Sequence, residues 1–150
     1  TTEIYTLSLH DALPISTRPQ ILKRIASEMA QLLPDKAEVI AGMELGAVPL
    51  AVALSLKTGL PYVMIRKSER VHGTGSRIEG ELLGNVIVVE DVATSGGSLV
   101  DAVEVIRRAG GTVERAIVVV DREEGADEAL RAVDIELLPL VRIGSLLQDD

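Results

Sequence analysis

The sequence predicts a doubly wound α/β fold with a mostly parallel sheet, and three observations predict it. Short apolar runs alternate with stretches of helical periodicity along the chain. Those runs are continuous in Val and Ile, as in Val86-Ile87-Val88-Val89, where a half-exposed strand would alternate apolar with polar, so the strands are expected to be covered on both faces. The 150 residues are 47% hydrophobic and 25% charged, an ordinary globular balance at a length that sustains one sizeable core.

Taken in order, residues 1–16, TTEIYTLSLHDALPIS, show neither a helical nor a strand period. The string SLHDALPIS resembles translated sequencing-adapter sequence. The segment is therefore expected to be non-native or disordered, with an irregular native arm as the alternative, and the domain to span 17–150. Ser16 and Thr17 offer a hydroxyl cap and Pro19 suits a first turn. With Ile21, Leu22, Ile25, Met29 and Leu32 at helical spacing, a helix is predicted that stops before Pro34. A strand follows over 38–42, a helix over 48–58 and a strand over 61–66. The stretch 67–84 carries Gly73, Gly75, Gly80 and Gly84 without apolar periodicity and reads as a long excursion, of a length that is usually functional. Beyond it come a β-branched strand over 85–90, a helix over 98–109, a strand over 112–120, a short helix over 126–132 and a last strand over 134–143. Ligands of such sheets sit outside the carboxyl ends of the strands, so the residues just after each strand are the candidates for chemistry.

Composition narrows those candidates. Fifteen basic against 23 acidic residues leave a net charge of −8, which argues against a nucleic-acid partner or an anionic membrane held by bulk positive charge; any anion site must be local. Tyr5 and Tyr62 are the whole aromatic complement, too few for a base-stacking platform. The absence of cysteine excludes a disulfide framework, a thiolate nucleophile and a cysteine zinc site. No apolar run approaches the ~18 residues of a membrane span, and no basic stretch followed by an apolar one opens the chain. A cytoplasmic location is the expectation.

The strongest signal is Val86-Ile-Val-Val-Glu90-Asp91-Val-Ala-Thr94-Ser95-Gly96-Gly97-Ser98-Leu99. A buried strand delivers two adjacent carboxylates, and a turn of glycines and hydroxyls then opens into a helix. Ser98 with Asp101 three residues on reads as a capping-box variant. Orphan amides at a helix start, the helix dipole and close-approach glycines together make a phosphate cradle that needs no lysine. The carboxylates cannot bind that phosphate; they can accept hydroxyl hydrogens or face a hydrated metal, and a ribose diol beside a 5′-phosphate offers such hydroxyls. A plain strand-to-helix turn is the bland alternative, but adjacent acids at the end of an apolar strand repel without a partner. The segment is not a P-loop, since no lysine follows the glycines, nor a dinucleotide fingerprint, since Ile78 stands where Gly73-Thr-Gly75 would need a third glycine.

Three further stretches carry chemistry. Arg66, Lys67, Arg70 and Arg77 stand in 12 residues whose only acid is Glu69, a local cation cluster on an acidic protein that suits an anion clamp better than a solvated charge run. His72 is either an exposed loop histidine or an acid–base group. Arg122 follows a strand and points from its carboxyl edge; the plainer reading pairs it with Glu123, Glu124 or Asp127.

The segment VIVVEDVATSGGS resembles the phosphoribosyl-pyrophosphate signature of type I phosphoribosyltransferases, and residues from about 17 to 147 are similar to the orotate phosphoribosyltransferases. Ala41-Gly-Met-Glu-Leu-Gly46 resembles the family's pyrophosphate loop, Arg66-Lys67-Ser-Glu-Arg70-Val-His72-Gly73 its mobile catalytic loop, and Asp121-Arg122-Glu-Glu-Gly125 its orotate-contacting turn. The resemblance implies transfer of the 5-phosphoribosyl group from phosphoribosyl pyrophosphate to orotate, giving orotidine 5′-monophosphate and pyrophosphate in pyrimidine biosynthesis. It implies Mg²⁺ carried by the substrate with no direct protein ligand, and a homodimer whose loop over 67–80 reaches the neighbouring site. Arg66, Lys67, Arg70, His72, Glu90, Asp91, Val92, Ala93, Thr94, Ser95, Gly96, Gly97 and Ser98 would bind phosphoribosyl pyrophosphate; Thr94 and Arg122 would bind orotate; Arg70, His72 and Asp91 would act in catalysis. Lysine is commoner in the family at the position of Arg70, which cannot release a proton, so proton transfer would fall to His72. Met43, Glu44 and Leu45 depart from members with a lysine in the pyrophosphate loop, and the usual N-terminal hood with its lysine and aromatics is replaced by residues 1–16. Alternatives are a ligand-sensing regulatory domain without turnover, and a phosphoribosyltransferase for a purine or uracil, which lack the carboxylate that Arg122 would grip.

Overall fold

In the computed structural model the chain is described over residues 17–68 and 75–146. The expectation for residues 1–16 and the candidates Arg70 and His72 lie outside the described residues. The elements are α1 (Pro19–Gln31), β1 (Val39–Met43), α2 (Val48–Thr58), β2 (Tyr62–Ile65), β3 (Ile78–Glu79), β4 (Asn85–Ala93), α3 (Gly97–Arg108), β5 (Thr112–Asp121), α4 (Ala126–Arg131), β6 (Glu136–Arg142) and α5 (Ile143–Leu146). No helix among the described residues is long and apolar enough to cross a membrane.

The six strands form one sheet in the order β3-β2-β1-β4-β5-β6, parallel except for β3, which runs antiparallel to β2. Because successive strand residues face opposite ways, the continuous apolar runs feed two cores at once. Val39, Ala41, Val86 and Val88 pack toward Leu99, Val103 and Ile106 of α3 and Leu130 of α4. Ile40, Ile87 and Val89 pack toward Ile25 and Met29 of α1 and Leu50 and Leu54 of α2. The sheet is thus covered on both faces, as its composition requires.

Three local expectations are corrected. The first helix takes no hydroxyl cap: its N-cap is Arg18, without a side-chain cap bond, and Pro19 supplies the first-turn geometry. The capping box at Ser98 and Asp101 does not form. Gly96 caps α3 with φ +88°, and Asp101 is instead bound to Arg77. The polar excursion is not wholly irregular, since Ile78 and Glu79 pair with Ile65 and Met64 as an edge strand too short for periodicity to reveal.

Candidate functional site

β1 and β4 are parallel neighbours, but the chain leaves them for opposite faces, β1 into α2 and β4 into α3. This is the point where strand order reverses, and the diverging connections open a crevice there. A cleft of about 310 Å³ occupies it, lined by residues 43–46, Lys67 and residues 90–99.

One wall of the cleft is the start of α3. Gly96 is required on two counts: its φ of +88° is left-handed, and a methyl there would lie 3.0 Å from the Cα of Ala126 in α4. That close packing fixes the turn. The helix has no side-chain cap bond and no acid in its first turn, so its first amides and its dipole are left to an anion. Thr94, Ser95 and Ser98 stand exposed around them with hydroxyls to add.

The opposite wall holds the carboxylates. β4 runs past the predicted 85–90 through Asp91 to Ala93, with Val92 paired to Val120 and Ala93 to Asp121. The Asp91 amide donates to Glu90 Oε1 at 3.0 Å, and the Val92 amide to Asp91 Oδ1 at 2.8 Å. Gly46 lets the β1–α2 turn close on this pair, since a methyl there would sit 3.0 Å from Asp91 Oδ2. Burial, and then the hydrogen bond with Asp91 and its charge, push the Glu90 carboxyl up to about 8, against the pull of the Asp91 amide and the Lys67 ammonium. At neutral pH the Glu90 carboxyl therefore keeps its proton, and a ligand bringing a cation favours its release.

The cations divide into three groups. Lys67 lines the cleft, and its backbone amide donates to Glu44 Oε1 at 2.8 Å. Arg66 lies outside the lining and gives its Nε to Glu79 Oε1 at 2.9 Å. Arg77 turns away to Asp101. Arg122 is exposed beside the mouth. Its amide bonds the Ala93 carbonyl at 3.0 Å, its guanidinium pairs with Glu124 at 3.4 Å as the plainer reading anticipated, and it is not among the described lining residues. The structure thus brings together Lys67 and residues 90–98, and leaves Arg66 and Arg122 at the rim.

Sequence reasoning missed Glu44, which stands where a cation was sought and instead holds the Lys67 backbone. It also missed the support beneath Arg122. Asp121, 1% exposed, accepts from Arg142 Nη1 at 3.1 Å and from the Glu123 amide at 2.9 Å, while Glu123, at φ +58°, accepts from the Gly144 amide at 3.0 Å. An acid closing the apolar run of β5 was a readable signal, of the same kind as Glu90. Among the described residues no three histidine, aspartate or glutamate side chains converge as a metal site. Glu90 and Asp91 form a donor pair suited to a cation that arrives with a substrate.

Comparison with known proteins places this geometry. The model of the phosphoribosyl transferase domain matches residues 13–136. The orotate phosphoribosyltransferase of Methanosarcina mazei is 48% identical over 136 residues, covering 89% of this chain and 73% of that protein. That of Thermococcus kodakarensis is 47% identical over 137 residues, covering 88% and 74%. Among solved structures, Mycobacterium tuberculosis H37Rv orotate phosphoribosyltransferase in complex with 5-phospho-alpha-D-ribosyl 1-diphosphate superposes with a TM-score of 0.83 at 31% identity, over 97% of this chain and 87% of that one. Leishmania donovani adenine phosphoribosyltransferase, at 16% identity and a TM-score of 0.72, shares the fold.

Proposed function

The chain belongs to the orotate phosphoribosyltransferases of the phosphoribosyltransferase family, and on that premise we propose that it joins orotate to phosphoribosyl pyrophosphate, giving orotidine 5′-monophosphate and pyrophosphate. The observation that carries the reading is the cleft at the β1/β4 reversal, where uncapped helix amides and the adjacent carboxyls of Glu90 and Asp91 line one space. The first α3 amides and the hydroxyls of Thr94, Ser95 and Ser98 hold the 5′-phosphate, with the backbone of Val92, Ala93, Gly96 and Gly97 shaping the cradle. Glu90 and Asp91 accept the ribose hydroxyls. Mg²⁺ carried on the diphosphate would neutralise part of its charge, with Glu90 and Asp91 the carboxylates placed to face it.

In the reaction the bond from ribose C1 to the diphosphate oxygen breaks and the bond to the ring nitrogen of orotate forms, while that nitrogen gives up its proton. Charge builds on the leaving diphosphate and on the ribose ring, so the protein needs no nucleophile. It must hold two reactants in line and place cations on the leaving group. Lys67 is one such cation; Arg66, Arg70 and His72 supply the remainder of the loop's work, His72 moving the proton. Arg122 grips the orotate carboxylate beside Thr94. Its ion pair with Glu124 is no obstacle, since an exposed pair is worth ~0–1 kcal/mol and a forked bond to a carboxylate is stronger.

A homodimer, with the loop rooted at Lys67 extending from one cleft toward its neighbour, and a cytoplasmic location complete the reading. Support for the dimer comes from α2, which is apolar on its outer side too, with Leu56 83% and the nearby turn residue Leu45 80% exposed. Mg²⁺-dependent loss of orotate absorbance with phosphoribosyl pyrophosphate tests the function. Turnover is expected, and Arg122→Ala should lower kcat/KM for orotate about a hundredfold or more. Binding of phosphoribosyl pyrophosphate without turnover would identify a sensor instead.

A further inference from the structure

We propose that Arg77 and Asp101 are positioning residues that hold Lys67 at the cleft. The inference rests on the proposed function, in which Lys67 meets the diphosphate.

Arg77 belongs by sequence to the loop's cation cluster, yet its fork is committed elsewhere. Nη1 and Nη2 reach the two oxygens of Asp101 at 3.0 and 2.7 Å, Nε donates to the Arg66 carbonyl at 2.8 Å, and Nη2 donates to the Lys67 carbonyl at 2.9 Å. Its side chain is 16% exposed. The guanidinium also holds the Asp101 carboxyl below the usual carboxylate range. The two stems of the loop are zipped beneath it, the Arg66 amide donating to the Arg77 carbonyl at 2.7 Å.

Lys67 is consequently fixed at both ends of its own residue. Its carbonyl is tied through Arg77 to α3, and its amide is tied to Glu44 in the β1–α2 turn. Both of those elements line the cleft. A lysine is a point charge on a flexible stem, so where its backbone is anchored decides what its ammonium can reach. The Lys67 charge already acts on Glu90 inside the cleft. Anchoring it before the substrate arrives removes ordering cost from the binding step. The guanidinium makes four such bonds from a fixed plane, one more than the three N–H groups of a lysine at position 77 could donate.

The test is a double-mutant cycle read by calorimetry with magnesium pyrophosphate on the full chain. Asp101→Asn should weaken binding roughly fivefold, and should add little to Lys67→Ala, because both act through one ammonium. Arg77→Lys should match Asp101→Asn. In turnover, both should raise KM for phosphoribosyl pyrophosphate and leave KM for orotate unchanged, with thermal unfolding confirming the fold of each variant. Undiminished binding by Asp101→Asn, or an equal loss with and without Lys67, would overturn the inference while leaving the proposed function standing. Wild-type protein that bound no pyrophosphate would overturn both.

Discussion

The carboxyl of Glu90 shows how one residue ties sequence to chemistry. Two adjacent acids ending an apolar strand were legible as a site because burial and mutual repulsion demand a partner. The proton held by Glu90 was not legible, since it depends on how deeply the fold buries that carboxyl. The sign of its effect on stability follows. The folded-state value, about 8, lies above the ordinary 4.5, so the contribution is fully present below 4.5 and lost as pH rises through 8. Glu90→Gln should remove this dependence. Urea unfolding between about pH 5 and pH 8.5 should therefore show wild type losing stability relative to the variant as pH rises, and parallel profiles would contradict the raised Glu90 value. Glu44, Arg77 and Asp101 lay beyond sequence reading for a different reason: each acts on a partner 10 or more residues away, and charge alone names no partner.

At the scale of elements, β-branched runs and helical spacing sufficed where burial sets the pattern. The prediction of 48–58 coincides with α2, and the five predicted strands all exist. Periodicity failed where local chemistry decides. Asp101 lies where a capping box would place it, but a bidentate bond to Arg77 outcompetes a cap, and the left-handed Gly96 takes over the helix start. Gly96→Ala should test that start. With φ at +88° and the Ala126 backbone 3.0 Å from the new methyl, a loss of about 1–3 kcal/mol in urea unfolding is expected. Phosphoribosyl pyrophosphate affinity should fall with it if, as proposed, the amides of this turn hold the 5′-phosphate. An unchanged unfolding midpoint would mean the turn relaxes freely.

For the molecule as a whole, the fold class and the place of the cleft followed from alternation of elements and the rule of the reversal point, whereas the exposed apolar side of α2 did not. A helix as apolar as α2, polar only at Ser55, Lys57 and Thr58, reads from sequence as mostly buried, and only the structure shows Leu56 facing outward. Leu56→Glu should accordingly yield a species of half the mass by sedimentation, and a dimer that survives it would place the interface elsewhere. The strand order has a further effect during synthesis. β1 pairs on one side with β2, soon after it in the chain, but its other neighbour is β4, Val39 meeting Val86. Until β4 has left the ribosome, β1 keeps a bare edge of unpaired amides, and the wall made by α3 does not exist. The nascent chain therefore carries its exposed strand longest at the place where the finished protein binds substrate, and that strand is the one a chaperone would most need to shield.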